Sequence, residues 1–117
     1  MTQKILVAED EMIVAFDLCD TVEEAGFQVE GPHAAITSAM FAFQTEKPDL
    51  AILDVSLDDG NVFPLARKLQ AENVPIIFHS GRTSDDEIRE HFPDATIRAK
   101  PCAPHDLLAA VTEALPA

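Results

Sequence analysis

A chain of 117 residues, 47% of them hydrophobic, can bury one ordinary core and is too short for two, so a single domain over residues 1–117 is expected. With 21 acidic residues against 8 basic ones the net charge is −13, which repels nucleic-acid phosphates and anionic membranes and disfavours direct binding to either. No apolar run approaches the roughly 18 residues that span a bilayer, and the start, MTQKILVAEDE, turns acidic where a signal peptide would stay apolar, so a cytoplasmic protein is expected. Cys19 and Cys102 are too far apart and too few to make a disulfide framework, which fits a reducing compartment.

Taken in chain order, residues 4–8 (KILVA) form the first expected strand, followed by a helix over residues 11–25 that Gly26 caps. A second strand is expected at residues 27–30 and a helix at residues 34–46. Residues 49–54 (DLAILD) form the third strand, followed by the polar loop of Ser56, Asp58, Asp59 and Gly60 and a helix over residues 62–72. Residues 74–79 (VPIIFH) form the fourth strand. The helix expected near residues 84–91 has only Ile88 and Phe92 as apolar anchors, so weak packing and easy local opening are expected there. Residues 95–98 form the fifth strand. The last helix, residues 104–115, begins with Pro104, whose missing N–H costs nothing in a first turn, and places Leu107, Leu108, Val111 and Leu115 on one stripe.

The first, third and fourth strands are nearly continuous apolar runs, as expected where helices cover both faces of a parallel sheet. Five strand–helix alternations imply a doubly wound α/β domain with a five-stranded parallel sheet in the order 2-1-3-4-5, flavodoxin-like in topology. No internal repeat, linker, low-complexity tract or appended output domain is evident.

Sites in such sheets lie beyond the carboxyl ends of the strands. There the first strand delivers Glu9 and Asp10, followed by Glu11, and the third delivers Asp54. With these two strands adjacent, the carboxylates converge and repel one another unless a cation joins them. A cluster of carboxylates with backbone carbonyl and water suits Mg²⁺, which would offset the local charge and stabilise the oxygens of a transferring phosphoryl group. Asp54 is then a candidate aspartyl nucleophile. The fourth strand ends at Ser80 and Gly81, where a hydroxyl donor and a close loop approach are expected, and the fifth at Lys100, a compact positive charge for a phosphoryl oxygen. Singly, each of these residues is an ordinary strand end or helix cap. The set, one from each of four strands in order, is what phosphoryl chemistry requires.

The segments KILVAEDE, AILDV, PIIFHSG and AKP together resemble the receiver domain of response regulators in two-component signalling. The resemblance covers essentially the whole chain. It implies Glu9 and Asp10 as metal-binding acids, Asp54 as phosphoacceptor and metal ligand, the Ser56 backbone carbonyl as a further Mg²⁺ ligand, and Ser80 and Lys100 as the phosphate-binding and switch pair. It also implies a cis peptide bond between Lys100 and Pro101, and tuning of acyl-phosphate lifetime by Ser56 and Arg82. The partners it implies are a histidine kinase, a histidine phosphotransfer protein, or both. Homodimerisation is left open. Phe78, His79, Ser80 and Gly81 stand where one receiver subclass, often single-domain regulators, has a Phe-Ala-Thr-Gly type motif.

Two departures from the common receiver pattern matter. Ile97 replaces the aromatic residue often found three positions before the lysine, so an aromatic flip is not the readout, and Ser80 is expected to shift the fourth helix instead. Asp58 stands where proline is frequent, leaving the loop after Asp54 less rigid. His33, His79, His91 and His105 show no ligand spacing and are read as surface or strand residues, with His79 half-buried. Phe41, Phe43 and Phe63 are read as core or near-core.

Three alternatives remain. A small Mg²⁺-dependent aspartyl-phosphate hydrolase would need an acid two residues after its nucleophile, where Ser56 stands. A flavin-phosphate binder would need an anion cradle in place of EDE. A pseudo-receiver would bind its partner regardless of phosphorylation.

Overall fold

The computed structural model describes residues 2–81, 85–100 and 102–115. The main strands are β1 (Lys4–Ala8), β2 (Gln28–His33), β3 (Leu50–Leu53), β6 (Ile76–Ser80) and β7 (Thr96–Ala99), and a small antiparallel pair, β4 (Ser56–Leu57) and β5 (Gly60–Asn61), follows β3. The helices are α1 (Met12–Glu24), α2 (Ile36–Thr45), α3 (Phe63–Ala71), α4 (Asp85–His91) and α5 (Pro104–Ala114). The five main strands pair in parallel in the order β2-β1-β3-β6-β7, which is the expected 2-1-3-4-5 sheet.

Side-chain alternation divides the core in two. Ile5, Val7, Leu50, Ile52 and Ile77 point to one face and pack against Leu18, Cys19 and Val22 of α1 and Leu107, Ala110 and Val111 of α5. Leu6, Ala8, Ala51, Leu53 and Phe78 point to the other and meet Ala39 and Phe43 of α2, Leu65, Ala66 and Leu69 of α3, and Ile88 of α4. Burial of both faces explains why these strands read as apolar runs rather than as alternating patterns. Gly26, at φ +96, closes α1, with its N–H donating to the Glu23 carbonyl at 3.0 Å.

Several local expectations change. Strand β2 runs on to His33, through Gly31, whose φ of +131 and whose distance of 2.6 Å between a built Cβ and the Val7 carbonyl oxygen leave room for glycine alone. The Gly31–Pro32 peptide bond is cis. The expected Lys100–Pro101 cis bond lies outside the described residues, as does Arg82. The polar loop after Asp54 is a miniature hairpin, because Leu57 buries between exposed neighbours and the Val62 N–H donates to the Val55 carbonyl at 2.8 Å. Phe41 is 71% exposed rather than near-core: Ala39 and Phe43, four apart, share the buried face of α2, and a residue midway between them points outward. Around Gly81 a Cβ would meet nothing within 4 Å among the described residues, so none of these demands glycine there.

The fourth helix spans only 7 residues, and Ile88 is its sole buried side chain, with Phe92 just beyond it stacked near Phe63 and Phe78. So little buried area implies a low opening free energy. Amide exchange is expected to be faster in α4 than in α1, and equal or slower exchange there would contradict this account.

Candidate functional site

Backbone hydrogen bonds extend each ladder one residue past the strand and so place the polar residues. The N–H groups of Glu9, Asp54 and Lys100 donate to the carbonyls of His33, Ala8 and Ser80, each at 2.9 Å. Three side chains from three strands are thereby held against one another at the carboxyl edge of the sheet.

Lys100 is the hub. Its Nζ donates to Glu11 Oε1 and to Asp54 Oδ2, both at 3.1 Å, and lies 2.8 Å from Glu9 Oε1 as an ion pair off the hydrogen-bonding direction. Glu9 is fully buried and Asp54 is 8% exposed. The second Glu9 oxygen, Oε2, accepts from the Glu11 N–H at 3.1 Å, while Oε1 is buried with no hydrogen-bond partner among the described residues. One carboxylate oxygen each from Glu9, Glu11 and Asp54 lies within 4.8 Å of the others. A buried, under-coordinated carboxylate oxygen in a cluster of hard-oxygen donors fits a divalent cation such as Mg²⁺.

The electrostatics follow from this crowding. Burial, then the neighbouring Glu9 carboxylate, push the Asp54 carboxyl up to about 6, against the pull of Lys100. Burial also opposes ionisation of Glu9, but the close neighbours His79, Lys100 and Asp54 outweigh it and hold Glu9 at about 2. Burial lowers Lys100, and the three carboxylates more than reverse this, keeping the ammonium charged throughout the ordinary pH range. Asp10 is half-buried, and its carboxyl is raised by burial and by neighbouring Glu9, with a smaller contribution from Asp58. The carboxylate that completes the tight cluster is therefore Glu11, the N-cap residue of α1, while Asp10 stands beside it.

Ser80 is buried at the end of β6, and its Oγ donates to Asp85 Oδ1 in the first turn of α4 at 2.9 Å. Ser56 opens β4, exposed and paired with Asn61. His79 is 2% exposed rather than half-buried, since its strand position aims it at the α1/α5 face, where its Nδ1 lies 3.8 Å from Glu9 Oε1. Strand alternation was the signal available for its burial. Nothing local in the sequence signals the Ser80–Asp85 bond. Asp58 and Asp59 brace the hairpin: the Asp58 N–H donates to the Ala34 carbonyl at 3.0 Å, and the Asp59 carboxylate accepts from the Ile36 N–H at 2.6 Å and the Thr37 N–H at 3.1 Å. Those contacts supply the order that an absent proline would otherwise give to this loop.

A parallel doubly wound sheet with an acidic cluster, an aspartate and a lysine at its carboxyl edge defines a receiver-type α/β domain. The family model of the response regulator receiver domain matches residues 5–112, and the chain belongs to that family. It is similar to the phyllosphere-induced regulator PhyR of Methylorubrum extorquens, 31% identical over 98% of this chain and 44% of that protein. It is also similar to the transcriptional regulatory protein PdtaR of Mycobacterium tuberculosis, 27% identical over 93% of this chain and 55% of that protein. The chain thus spans about half the length of these curated relatives. Among solved structures, the response regulator receiver protein of Sinorhizobium medicae matches with a TM-score of 0.87 at 26% identity over 96% of this chain and 93% of that one. SdrG of Sphingomonas melonis matches at 0.82 and 30% identity over 95% and 94%. No described helix is long and apolar enough to cross a membrane.

Proposed function

We propose that this domain is a cytoplasmic phosphoacceptor that takes a phosphoryl group onto Asp54 from a phosphohistidine, or from a small donor such as acetyl phosphate, in a Mg²⁺-dependent reaction. The observation that carries the reading is a buried aspartate at a strand end whose Oδ2 contacts Lys100 at 3.1 Å, with Glu9 and Glu11 gathered on the same ammonium. In the transfer an Asp54 carboxylate oxygen forms the new P–O bond; from phosphohistidine the P–N bond breaks and the histidine regains a proton from solvent, and from acetyl phosphate the P–O bond to the acyl group breaks and acetate leaves. Glu9, Asp10, Asp54 and the Ser56 carbonyl would hold Mg²⁺, with Glu11 a further oxygen donor at hand. The ion would supply charge neutralisation for the incoming phosphoryl oxygens. Lys100 orients and neutralises one of those oxygens, and the Ser80 hydroxyl donates to another.

The domain is read as a signalling acceptor that catalyses only its own phosphorylation and hydrolysis. Beside the site, α1 exposes Ile13 at 82% and Phe16 at 56%, an apolar patch suited to docking the helices of a histidine kinase or histidine phosphotransfer protein. The sequence Phe78, His79, Ser80, Gly81 supports the single-domain subclass with a Phe-Ala-Thr-Gly type motif. Output would come through protein binding, phosphate storage or relay.

Intact mass after incubation with acetyl phosphate and Mg²⁺ tests this. A gain of one phosphoryl group is expected, lost with EDTA or in Asp54→Ala. No gain from acetyl phosphate or from a phosphorylated histidine phosphotransfer protein would return the domain to the pseudo-receiver reading, and continuous phosphate release from simple monoesters would favour the hydrolase.

A further inference from the structure

Ser80 and Asp85 meet where the sheet edge gives way to α4. Ser80 is completely buried, and its Oγ donates to Asp85 Oδ1 at 2.9 Å. A hydroxyl has one proton to donate, so Ser80 cannot serve Asp85 and a phosphoryl oxygen together. From this we infer that Asp85 is a positioning residue: it holds the Ser80 hydroxyl in the resting state, and Ser80 leaves it to reach a phosphoryl group on Asp54. The inference rests on the phosphoacceptor reading above and names the contact that opposes the switch.

Release is felt in α4 because little else fixes that helix. Among the described residues, its ties besides Ile88 are the Asn61 Nδ2 donation to Glu87 Oε1 at 3.2 Å, the contact of Arg67 Nη2 with His91 Nδ1 at 3.1 Å, and the His91 ring against Phe63 at 4.9 Å between centroids, all through exposed α4 residues. Asn61 belongs to β5, in the hairpin that follows Asp54. The helix is therefore attached both to the switch hydroxyl and to the phosphoacceptor hairpin, and loss of the Asp85 bond removes its buried polar anchor. Asp85, Asp86 and Glu87 make the first turn acidic. A phosphoryl group on Asp54 adds negative charge opposite that turn, which acts in the same direction as the loss of the hydrogen bond.

Removing Asp85 should populate the released state without phosphate. The test measures the rate of phosphorylation by acetyl phosphate and the amide chemical shifts of α4 in wild type, Asp85→Ala, Asp85→Asn, Ser80→Ala and the double variant Ser80→Ala/Asp85→Ala. Unphosphorylated Asp85→Ala is expected to move its α4 resonances along the line joining resting and phosphorylated wild type, with a rate about fivefold higher. Asp85→Asn should lie between, because its amide oxygen still accepts but carries no charge. In the Ser80→Ala background, replacing Asp85 should change neither observable. An equal rise in that background would overturn the inference in favour of simple charge removal, as would α4 shifts off the line. If wild type itself takes no phosphate, the phosphoacceptor reading falls and this inference with it. If wild type is phosphorylated while Asp85→Ala is indistinguishable from it, the inference falls alone.

Discussion

Lys100→Met is expected to lose about 3 kcal/mol of stability at neutral pH in EDTA, together with about a hundredfold of its phosphorylation rate. The stability loss follows from what the ammonium leaves behind. Glu9 is fully buried, Asp54 nearly so, and among the described residues the cation touching both carboxylates is Lys100, at 2.8 and 3.1 Å. Removing one partner of a buried ion pair leaves uncompensated charge, which costs far more than the intact pair contributes. Methionine keeps the volume of the side chain, so packing is not the cause. The variant should recover as pH falls toward 5, because carboxyls with raised folded pKa values bind protons more readily folded than unfolded, and proton uptake then favours the fold. Added Mg²⁺ should restore part of the loss at neutral pH. Chemical denaturation at two pH values, with and without Mg²⁺, checks all of this. Equal midpoints for wild type and Lys100→Met at neutral pH in EDTA would show that the carboxylates already share a proton. The rate loss follows from removal of a positioned donor to the phosphoryl oxygens.

The legibility of this site in the sequence was uneven, and the reason is distance along the chain. Apolar runs between turn signals announce parallel strands, and the rule that sites lie beyond strand ends picks out Glu9, Asp54, Ser80 and Lys100 before any coordinates exist. What pattern does not reveal is which side chains share a partner. Glu11 reads as the start of a helix, yet its carboxylate joins Lys100 across 89 positions of sequence. The Ser80–Asp85 bond depends on how α4 docks on the core, a tertiary result that no spacing encodes. Likewise the hairpin after Asp54 looks like loop, because strands of 2 residues carry no periodicity, and only the burial of Leu57 inside the core makes it regular. Phe41 fails for a related reason: its hydrophobicity suggested core, and helical phase decided otherwise. Pattern reveals the frame, and the coupling between functional groups emerges only from packing.

Asp54→Asn is expected to be more stable than wild type at pH 7.5 in EDTA, by about 1–2 kcal/mol, even though it removes the proposed phosphoacceptor carboxylate. Asp54 has its carboxyl raised from an ordinary 3.8 to about 6 by burial and by Glu9, so its ionised form opposes the metal-free fold. At 1.36 kcal/mol per pH unit of displacement, that opposition reaches at most about 3 kcal/mol, and solvent contact and the loss of charge pairing with Lys100 reduce it. A carboxyl that holds its proton more tightly folded than unfolded stabilises the fold below its unfolded pKa. That contribution is lost as pH rises through the folded value. The advantage of Asp54→Asn should therefore be near zero at pH 4, grow across the window from about 4 to 6, and level off above it. Glu9 behaves oppositely: its contribution is present at neutral pH and is lost as pH falls from its ordinary 4.5 toward about 2, for the most part below this window. Mg²⁺ should narrow the gap between the two proteins at neutral pH, because the carboxylate that strains the metal-free domain is one the ion would neutralise. Thermal denaturation of both proteins from pH 4 to 8, in EDTA and in Mg²⁺, reads out each part. A stability difference that does not change with pH would mean that Asp54 is unstrained, and that its ionised carboxylate does not oppose the metal-free fold.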